Sequence, residues 1–137
     1  MIGSLVCLDK IMNAPAAAVW SELELLRSIV NASVDLNSVV GPDYKFLYAN
    51  PAYLKYFSKE PADIIGHTVS ELIGESIFCE RSKPLLDRTL KGESVSYFAR
   101  FDFPGIGMRD AEVFYNPARN RLGEVVGVVA EIGRAHV

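Results

Sequence analysis

The hydrophobic positions near the start of the chain follow the period of a helix. Across residues 15–31, apolar side chains recur at alternating steps of four and three positions, which places them on one face of a helix. The positions on this face are Val19, Leu23, Leu26 and Val30. Because the contact between two paired helices has the same spacing, the pattern predicts either a helix packed on its own domain or the seam of a dimer.

The next part of the chain has the pattern of short strands and turns. Residues 38–40 and 45–49 are two runs typical of strands, and residues 41–43 (Gly-Pro-Asp) between them are a strong turn signal. Two such runs around a turn predict a hairpin. Asn50 followed by Pro51 then predicts the start of a helix. An Asn side chain caps free backbone N–H groups, and Pro at the first helical position loses nothing by lacking its own.

The middle of the chain has the signals of short helices, and the last third has those of strands. Residues 60–90 contain several helix starts and ends, with Pro84 tolerable only near a helix start or a kink. Residues 94–103 and 111–115 alternate between apolar and polar positions, and residues 125–130 form an apolar run typical of a buried strand. This order predicts an α+β fold with a helix, two strands, several short helices and three further strands.

Composition and charge narrow the class of protein. The chain has 137 residues, of which 50% are hydrophobic, and a formal net charge of −3. This length fits one domain, and the apolar fraction is too high for a disordered chain. The slightly acidic balance lacks the basic stripe of nucleic-acid-binding proteins. We therefore expect no nucleic-acid partner.

Neither a membrane span nor a signal peptide is predicted. A spanning helix needs about 20 apolar residues, and the apolar start of the chain is interrupted by Asp9 and Lys10. A signal peptide needs a basic segment before its apolar core, and no Lys or Arg precedes Lys10. We expect a cytoplasmic protein with no membrane association within this sequence, although the small residues at 14–18 resemble a cleavage site and leave export open.

The residues that carry catalytic or metal chemistry do not form a set. Cys7, Cys79, His67 and His136 lack the spacing of a metal site, and a catalytic zinc needs three protein ligands. We expect Cys79 to be a small core residue and His67 to be exposed. The sequence has neither a Gly-x-x-x-x-Gly-Lys phosphate loop nor a Gly-x-Ser-x-Gly elbow. No nucleophile, base and oxyanion group occur together, which favours a binding module over an enzyme.

The last six residues call for a separate interpretation. Residues 132–137 (Ile-Gly-Arg-Ala-His-Val) resemble translated sequencing-adapter DNA and are predicted to be a non-native tail, with an exposed native tail as the alternative. The predicted organisation is an amino-terminal segment and amphipathic helix at 1–33, a folded domain at 34–131 and this tail. A downstream effector domain is expected to be missing.

A resemblance to a known family is carried by segments spread over residues 35–130. In their order and spacing they resemble a PAS sensor domain. The segments are residues 39–43 (Val-Val-Gly-Pro-Asp), 46–53 (Phe-Leu-Tyr-Ala-Asn-Pro-Ala-Tyr), 64–72 (Ile-Ile-Gly-His-Thr-Val-Ser-Glu-Leu), 90–93 (Leu-Lys-Gly-Glu), 115–117 (Tyr-Asn-Pro) and 123–129 (Gly-Glu-Val-Val-Gly-Val-Val). The resemblance implies a five-stranded antiparallel sheet with short helices on one face, enclosing a pocket.

The residues that line this pocket are predicted from alternation and helical spacing. Small-molecule sites are mostly apolar with a few polar anchors, and the predicted lining has that character. The alternative is that these side chains fill the interior and nothing binds. The predicted lining residues are Phe46, Tyr48, Phe57, Ile65, Val69, Leu72, Phe78, Leu85, Phe98, Arg100, Phe114 and Val128.

Two cofactors known in PAS domains do not fit the corresponding residues. Haem-binding members resemble one another in an iron-ligating His on the long helix, and the matching place is at or near Arg81, with no His in residues 75–90. Flavin photoreceptors of the LOV type carry a reactive Cys shortly after the glycine that corresponds to Gly66. Val69 stands there, so neither His-ligated haem nor a flavin–cysteinyl adduct is expected. Non-covalent flavin, small carboxylates and small aromatic molecules stay open.

The resemblance implies a cytoplasmic sensory or dimerisation module of a larger signal-transduction protein. A histidine kinase, a cyclic-dinucleotide enzyme or a transcription regulator would each supply the output. The expected partner is a second copy of the chain, paired through the amino-terminal helix. The alternative is a standalone small-molecule enzyme of similar α+β shape, for which the predicted pocket offers only Arg100 and scattered carboxylates.

Overall fold

The computed structural model describes residues 21–133. The chain divides into two units, residues 1–32 and residues 33–137. The described part of the first unit is helix α1 (Glu22–Ala32), which a reciprocal cap starts. The Ser21 hydroxyl accepts a hydrogen bond from the Glu24 backbone N–H at 3.1 Å, and the Glu24 carboxylate accepts one from the Ser21 N–H at 2.7 Å. These bonds satisfy donors that a helix start leaves free.

The predicted amphipathic helix is confirmed over Glu22–Ala32. No residue of α1 is buried, and Leu23, Leu26 and Ile29 are large apolar side chains that are exposed. Val19 and the predicted first turns of the helix lie outside the described residues.

The second unit is built from strands and short helices in the predicted order. Two strands come first, then helices, then three longer strands. The elements are β1 (Leu36–Val40), β2 (Phe46–Ala49), α2 (Pro51–Phe57), α3 (Pro61–Ile64), α4 (Val69–Ile73), α5 (Glu75–Ile77), a π-helix (Phe78–Ser82), α6 (Lys83–Leu90), β3 (Val95–Phe103), β4 (Gly107–Arg119) and β5 (Val125–Ile132).

The strands form one five-stranded antiparallel sheet in the order β2-β1-β5-β4-β3. The last strand therefore lies in the centre, between β1 and β4, as its apolar sequence predicts. Gly127 permits the close approach of β1 to β5, because a Cβ there would lie 2.6 Å from the carbonyl oxygen of Val40. The expectation of a five-stranded sheet with short helices on one face is confirmed.

The core lies between the sheet and those helices. Its largest fully buried side chains include Phe46, Phe103, Ile64 and Leu86, which come from β2, β3, α3 and α6. Burying one such side chain contributes about 1.5–3 kcal/mol. The core therefore fixes the short helices of residues 51–90 against one face of the sheet.

Asn50 confirms the predicted helix cap and also ties the helix to the sheet. Its side-chain oxygen accepts hydrogen bonds from the backbone N–H groups of Tyr53, in α2, at 3.1 Å and of Asn37, in β1, at 3.0 Å. Its side-chain amide donates to the backbone carbonyl of Asp35 at 3.0 Å. Because Asn50 is fully buried, losing this side chain would leave several backbone groups without partners.

The long helical segment changes its winding just before Pro84. Residues Phe78–Ser82 form a π-helix, and α6 begins at Lys83 with Pro84 in its first turn. Pro cannot donate the hydrogen bond that would continue the preceding helix. The wide turn at this point directs Ser82 into the interior, where it is buried.

The carboxyl-terminal limit of the fold differs from the predicted one. Strand β5 runs to Ile132, whose side chain is buried, and the Gly133 N–H donates to the Glu112 carbonyl oxygen at 2.8 Å. Residues 132 and 133 thus belong to the sheet, although the expected tail began at 132. The remaining tail residues lie outside the described part of the chain. Within residues 21–133, no helix is long and apolar enough to cross a membrane.

Candidate functional site

Two adjoining cavities lie between the sheet and the helices. The outer cavity has a volume of about 540 Å³ and the inner cavity about 40 Å³. Ile73, Ser82, Tyr97 and Phe101 line both of them. The two cavities therefore adjoin at these four side chains.

Aromatic rings form one wall of the outer cavity. Phe57, from α2, packs edge-to-face on Phe101 and Phe103 with ring centroids 6.3 Å and 5.1 Å apart. Phe101 and Phe103 stack at 5.5 Å with an interplanar angle of 24°. Edge-to-face and offset-stacked pairs stabilise each other beyond simple burial. The wall is therefore rigid as well as apolar, although Phe103 itself lies behind the cavity surface.

Hydroxyl groups converge on the inner cavity. The Tyr97 and Tyr115 hydroxyl oxygens are 2.8 Å apart, and their rings pack edge-to-face at 5.5 Å. The side chains of Ser82, Ser38 and Tyr53 line the same cavity. These residues belong to α2, the π-helix and three strands, so they come together only when the chain folds.

Burial controls the ionisation of these tyrosines. Desolvation raises the pKa of the Tyr115 phenol far above its usual range, and the neighbouring Tyr97 raises it further. Desolvation likewise raises the pKa of Tyr53. A burial-raised pKa means that the site disfavours the anion. The Tyr53 and Tyr115 hydroxyls are therefore neutral donors and acceptors at physiological pH.

Charged side chains are found at the mouth of the outer cavity. Lys59, Glu80, Arg81 and Asp102 line its rim and are exposed. Arg100 also borders this cavity, but its side chain lies on the outer face of β3, where the guanidinium donates two hydrogen bonds to the Asp110 carboxylate, at 2.8 and 3.3 Å. This pairing raises the pKa of Arg100. The cavity is therefore apolar along its walls, hydroxylic at its inner end and charged at its entrance.

Five of the twelve predicted lining residues line a cavity. Phe46 and Val69 line the inner cavity, Phe57 and Leu72 line the outer one, and Arg100 borders the outer one. The placement of the other seven differs from the prediction, for three separate reasons.

The first reason is the phase of β3 and β4. The structure places Phe98 on the outer face, where it is 75% exposed, and Phe114 half-buried on the same face. Their neighbours Tyr97 and Tyr115 face inwards instead. A shift of one residue in a strand moves every side chain to the opposite face. The predicted inward orientation of Phe98 and Phe114 is therefore wrong.

The second reason is that a side chain packed in the core need not line a cavity. Phe78 packs edge-to-face on Tyr44 at 5.2 Å, and Leu85 packs on the core from α6, but neither lines a cavity. Val128 is 0% exposed in the centre of the sheet and is likewise behind the cavity wall. These three side chains pack in the core. They therefore fit the alternative stated for the predicted lining, in which such side chains fill the interior.

Two further predicted residues point away from the interior. Ile65 is 41% exposed, because its backbone bridges to Phe46 at the end of α3 and carries the side chain outwards. Tyr48 pairs with Val39 after a register shift in β1, and it is half-buried without lining a cavity. The irregular pairing of β2 is not visible in the sequence pattern.

Sequence reasoning missed the hydroxyl residues of the site. Ser38, Tyr53, Ser82, Tyr97 and Tyr115 all line the inner cavity. The alternation of β3 over its whole length contains the signal for Tyr97, because the odd positions from 95 to 103 are Val, Tyr, Ala, Phe and Phe. No pattern indicates Ser82, whose inward orientation depends on the π-helix.

The remaining candidate residues, His67 and Cys79, line neither cavity. His67 is exposed, as expected, and its Nδ1 lies 2.8 Å from the Glu71 carboxylate. The Thr68 backbone N–H, followed by this His67 contact, lowers the pKa of Glu71. Cys79 is exposed, so the expectation of a core cysteine is wrong. Among residues 21–133, no group of His, Cys, Asp and Glu side chains is arranged to hold a metal ion.

Comparison with known proteins gives one family and many similar structures. The sequence model of a family described as the PAS fold matches residues 30–133. No curated protein matches the chain.

The similar structures include sensors and regulators of signalling. Vibrio cholerae VqmA, solved with ligand and DNA, is 19% identical, with a TM-score of 0.72 over 85% of this chain and 52% of VqmA. An RNA-binding light-oxygen-voltage receptor is 20% identical, with a TM-score of 0.69 over 88% of this chain and 33% of the receptor. A PAS domain from a two-component sensor histidine kinase is 12% identical, with a TM-score of 0.64, over 84% and 96% of the two chains. The chain thus spans about half the length of VqmA and a third of the receptor.

Proposed function

The chain belongs to the PAS-fold family, and from this premise we propose that it is the sensory module of a larger cytoplasmic signalling protein. In this proposal a small molecule binds in the outer and inner cavities and shifts the conformation of the module. The single observation that carries the proposal is the outer cavity of about 540 Å³, which leads from a charged mouth to a hydroxyl cluster. Apolar concave sites with a few polar groups are the usual form of a small-molecule site.

The position of β5 supports a relay of the signal. Ala130, in β5, lines the inner cavity, and the same strand is hydrogen-bonded to both β1 and β4. A ligand that binds two conformations with different affinity shifts the equilibrium between them. A change at the inner cavity would therefore reach the central strand without any catalytic step. An output domain such as a histidine kinase, a cyclic-dinucleotide enzyme or a transcription regulator would receive it.

The alternative function, a standalone enzyme, has less support. The inner cavity contains hydroxyl groups, and burial raises the pKa of Tyr53 and Tyr115 rather than activating them as bases. A general base needs a pKa near the working pH. Among the described residues, the acidic and basic side chains that line the cavities belong to the outer one and are exposed.

A cavity-filling substitution tests the proposal. Ala99 is half-buried on β3 and lines the outer cavity, so Ala99→Trp would occupy the space with an indole ring. Ser96→Trp is the matched control, because Ser96 is exposed on the other face of the same strand. A fragment screen by ligand-observed NMR should find molecules that bind the wild type and Ser96→Trp but bind Ala99→Trp at least about 10-fold more weakly. A screen without cavity-dependent binders would contradict the proposal.

A homodimer through α1 is the second part of the proposal. The supporting observation is the exposed apolar face of α1, with Leu23, Leu26 and Ile29, since a contiguous apolar helix face favours a partner. Leu26→Glu should convert a dimer to a monomer in light scattering. Ser28→Glu, at an exposed position on the opposite side of the helix, should leave the mass unchanged. A wild-type chain that is monomeric at high concentration would contradict dimerisation and leave the cavity proposal untouched.

A further inference from the structure

The described residues that line the inner cavity are either apolar or carry a hydroxyl group. Five of its lining residues carry a hydroxyl group, and the described residues around it include no Asp, Glu, Lys, Arg or His. Charged groups begin only at the rim of the outer cavity. The hydroxyl residues are Ser38, Tyr53, Ser82, Tyr97 and Tyr115.

The hydrogen bonding of these groups leaves a proton to donate. The Tyr97 and Tyr115 hydroxyl groups share one hydrogen bond. Each hydroxyl has one proton and can accept further bonds, so this bond uses one of the pair's two protons and the other remains. The Ser82 hydroxyl adds a further donor and acceptor. Of the five hydroxyl residues, Tyr97 and Ser82 are the two that line both cavities.

The same surroundings disfavour a negative charge. Burial raises the pKa of Tyr53 and Tyr115, which shows that an anion at this end of the cavity would be poorly solvated. A carboxylate placed there would meet the same cost, because no cationic side chain among the described lining residues would compensate it. A carboxylate has its nearest favourable partners at the charged rim instead.

The size of the inner cavity and the aromatic wall of the outer cavity limit which uncharged ligands fit. The inner cavity of about 40 Å³ has room for roughly one water molecule or a group of that size. The outer cavity is wide, and its wall of Phe57 and Phe101 offers aromatic surface. Planar aromatic bodies pack well on such a wall.

We propose that the inner cavity recognises one neutral oxygen or nitrogen atom of the ligand, held by Tyr97 and Ser82, while an aromatic body of the ligand fills the outer cavity. This selection of one ligand class rests on the proposed function, since it requires that the cavities bind a small molecule. The selection goes beyond the proposed function by naming the ligand class: uncharged, planar and aromatic, with a single hydrogen-bonding atom at its inner end. An occupant with a charged inner end is excluded by the same chemistry.

Three naphthalene compounds test this selection in the full chain. Calorimetric titration with 2-naphthol, naphthalene and 2-naphthoate compares a neutral hydroxyl, no polar group and an anion on one aromatic body. The wild type should bind 2-naphthol about 3- to 10-fold more tightly than naphthalene, as expected for one hydrogen bond, and 2-naphthoate most weakly. Tyr97→Phe and Ser82→Ala should each bring the ratio of the first two affinities towards one. Tyr56→Phe, which removes a hydroxyl that lines neither cavity, should keep it.

The possible results separate this selection from the proposed function. Equal affinities for 2-naphthol and naphthalene, or a ratio unchanged in both variants, would overturn the selection while the cavity remained a binding site. Tightest binding of 2-naphthoate would also overturn it, in favour of an anion at the rim beside Arg81. Binding of none of the three compounds would overturn both. Circular dichroism shows which variants are folded, and Ser82→Ala carries the test if Tyr97→Phe is not.

Discussion

The two faces of the sheet come from the same strands and differ in what covers them. On β3 the inner positions Tyr97, Ala99 and Phe101 line the outer cavity, while Ser96 and Phe98 on the outer face are exposed. An aromatic residue occurs on both faces, so hydrophobicity at one position does not decide which face is buried. The short helices of residues 51–90 cover the inner face, and the alternation of the whole strand selects the side chains that meet them. The inner face of β3 thus became a cavity wall.

The two faces should differ most in the free energy of unfolding that is lost when a phenylalanine is removed. Phe103 is 0% exposed and contacts Phe57 and Tyr56, so Phe103→Ala should lower the free energy of unfolding by about 3–5 kcal/mol through lost burial and a new cavity. Phe98→Ala, the same change on the outer face, should cost less than about 1 kcal/mol, because the ring is already exposed. Urea unfolding measures both. Equal losses in the two variants would contradict the assignment of the faces.

The second-largest difference should be in how much the polar groups of the two faces contribute to the free energy of unfolding. Tyr115→Phe removes a buried hydroxyl and should cost about 1–2 kcal/mol, because the Tyr97 hydroxyl loses its hydrogen-bond partner. Arg100→Met breaks the exposed pair with Asp110 on the outer face and should leave the urea midpoint unchanged, since exposed ion pairs contribute little. A larger loss in Arg100→Met than in Tyr115→Phe would show that the buried hydroxyls do not stabilise the fold.

The smallest expected effect is a pH dependence from β5. Burial raises the pKa of Glu131, and its hydrogen bond with Asp35 raises it further. A carboxyl group with a raised pKa binds its proton more tightly in the folded state. Stability is therefore greatest below the usual Glu pKa of about 4.3 and falls as the pH rises through the raised value. Glu131→Gln should remove this part of the decline in thermal unfolding between pH 4 and pH 8. An unchanged decline would contradict the role of Glu131.

The fold was predictable because its signals are local. The Asn50-Pro51 helix start, the turn at residues 41–43 and the apolar run of β5 each act within a few residues, and the structure confirms their elements. The site was less predictable, because it depends on which of two alternating sets faces the helices. Reading β3 as a whole would have corrected the choice of Phe98, since the even positions from 96 to 102 include Ser, Arg and Asp.

Other parts of the site have no sequence signal. Ser82 faces the cavity only because the helix widens before Pro84, and Tyr48 faces outwards only because the pairing of β1 and β2 shifts by one residue. Both depend on backbone irregularities that no periodicity reports. Val128 shows a third limit: its burial was predictable, but the sequence does not show whether a buried side chain borders a cavity or lies behind its wall.

The central claim is that the cavities are a ligand site connected to the central strand. Hydrogen–deuterium exchange of β5 (Val125–Ile132) with and without saturating 2-naphthol tests it most directly, because the amides of this strand bond to β1 and β4 beside the inner cavity. The account predicts slower exchange in β5 of the wild type, no change in the turn at residues 120–124, and no change in β5 of Ala99→Trp. Calorimetric binding of 2-naphthol with unchanged exchange in wild-type β5 would contradict it.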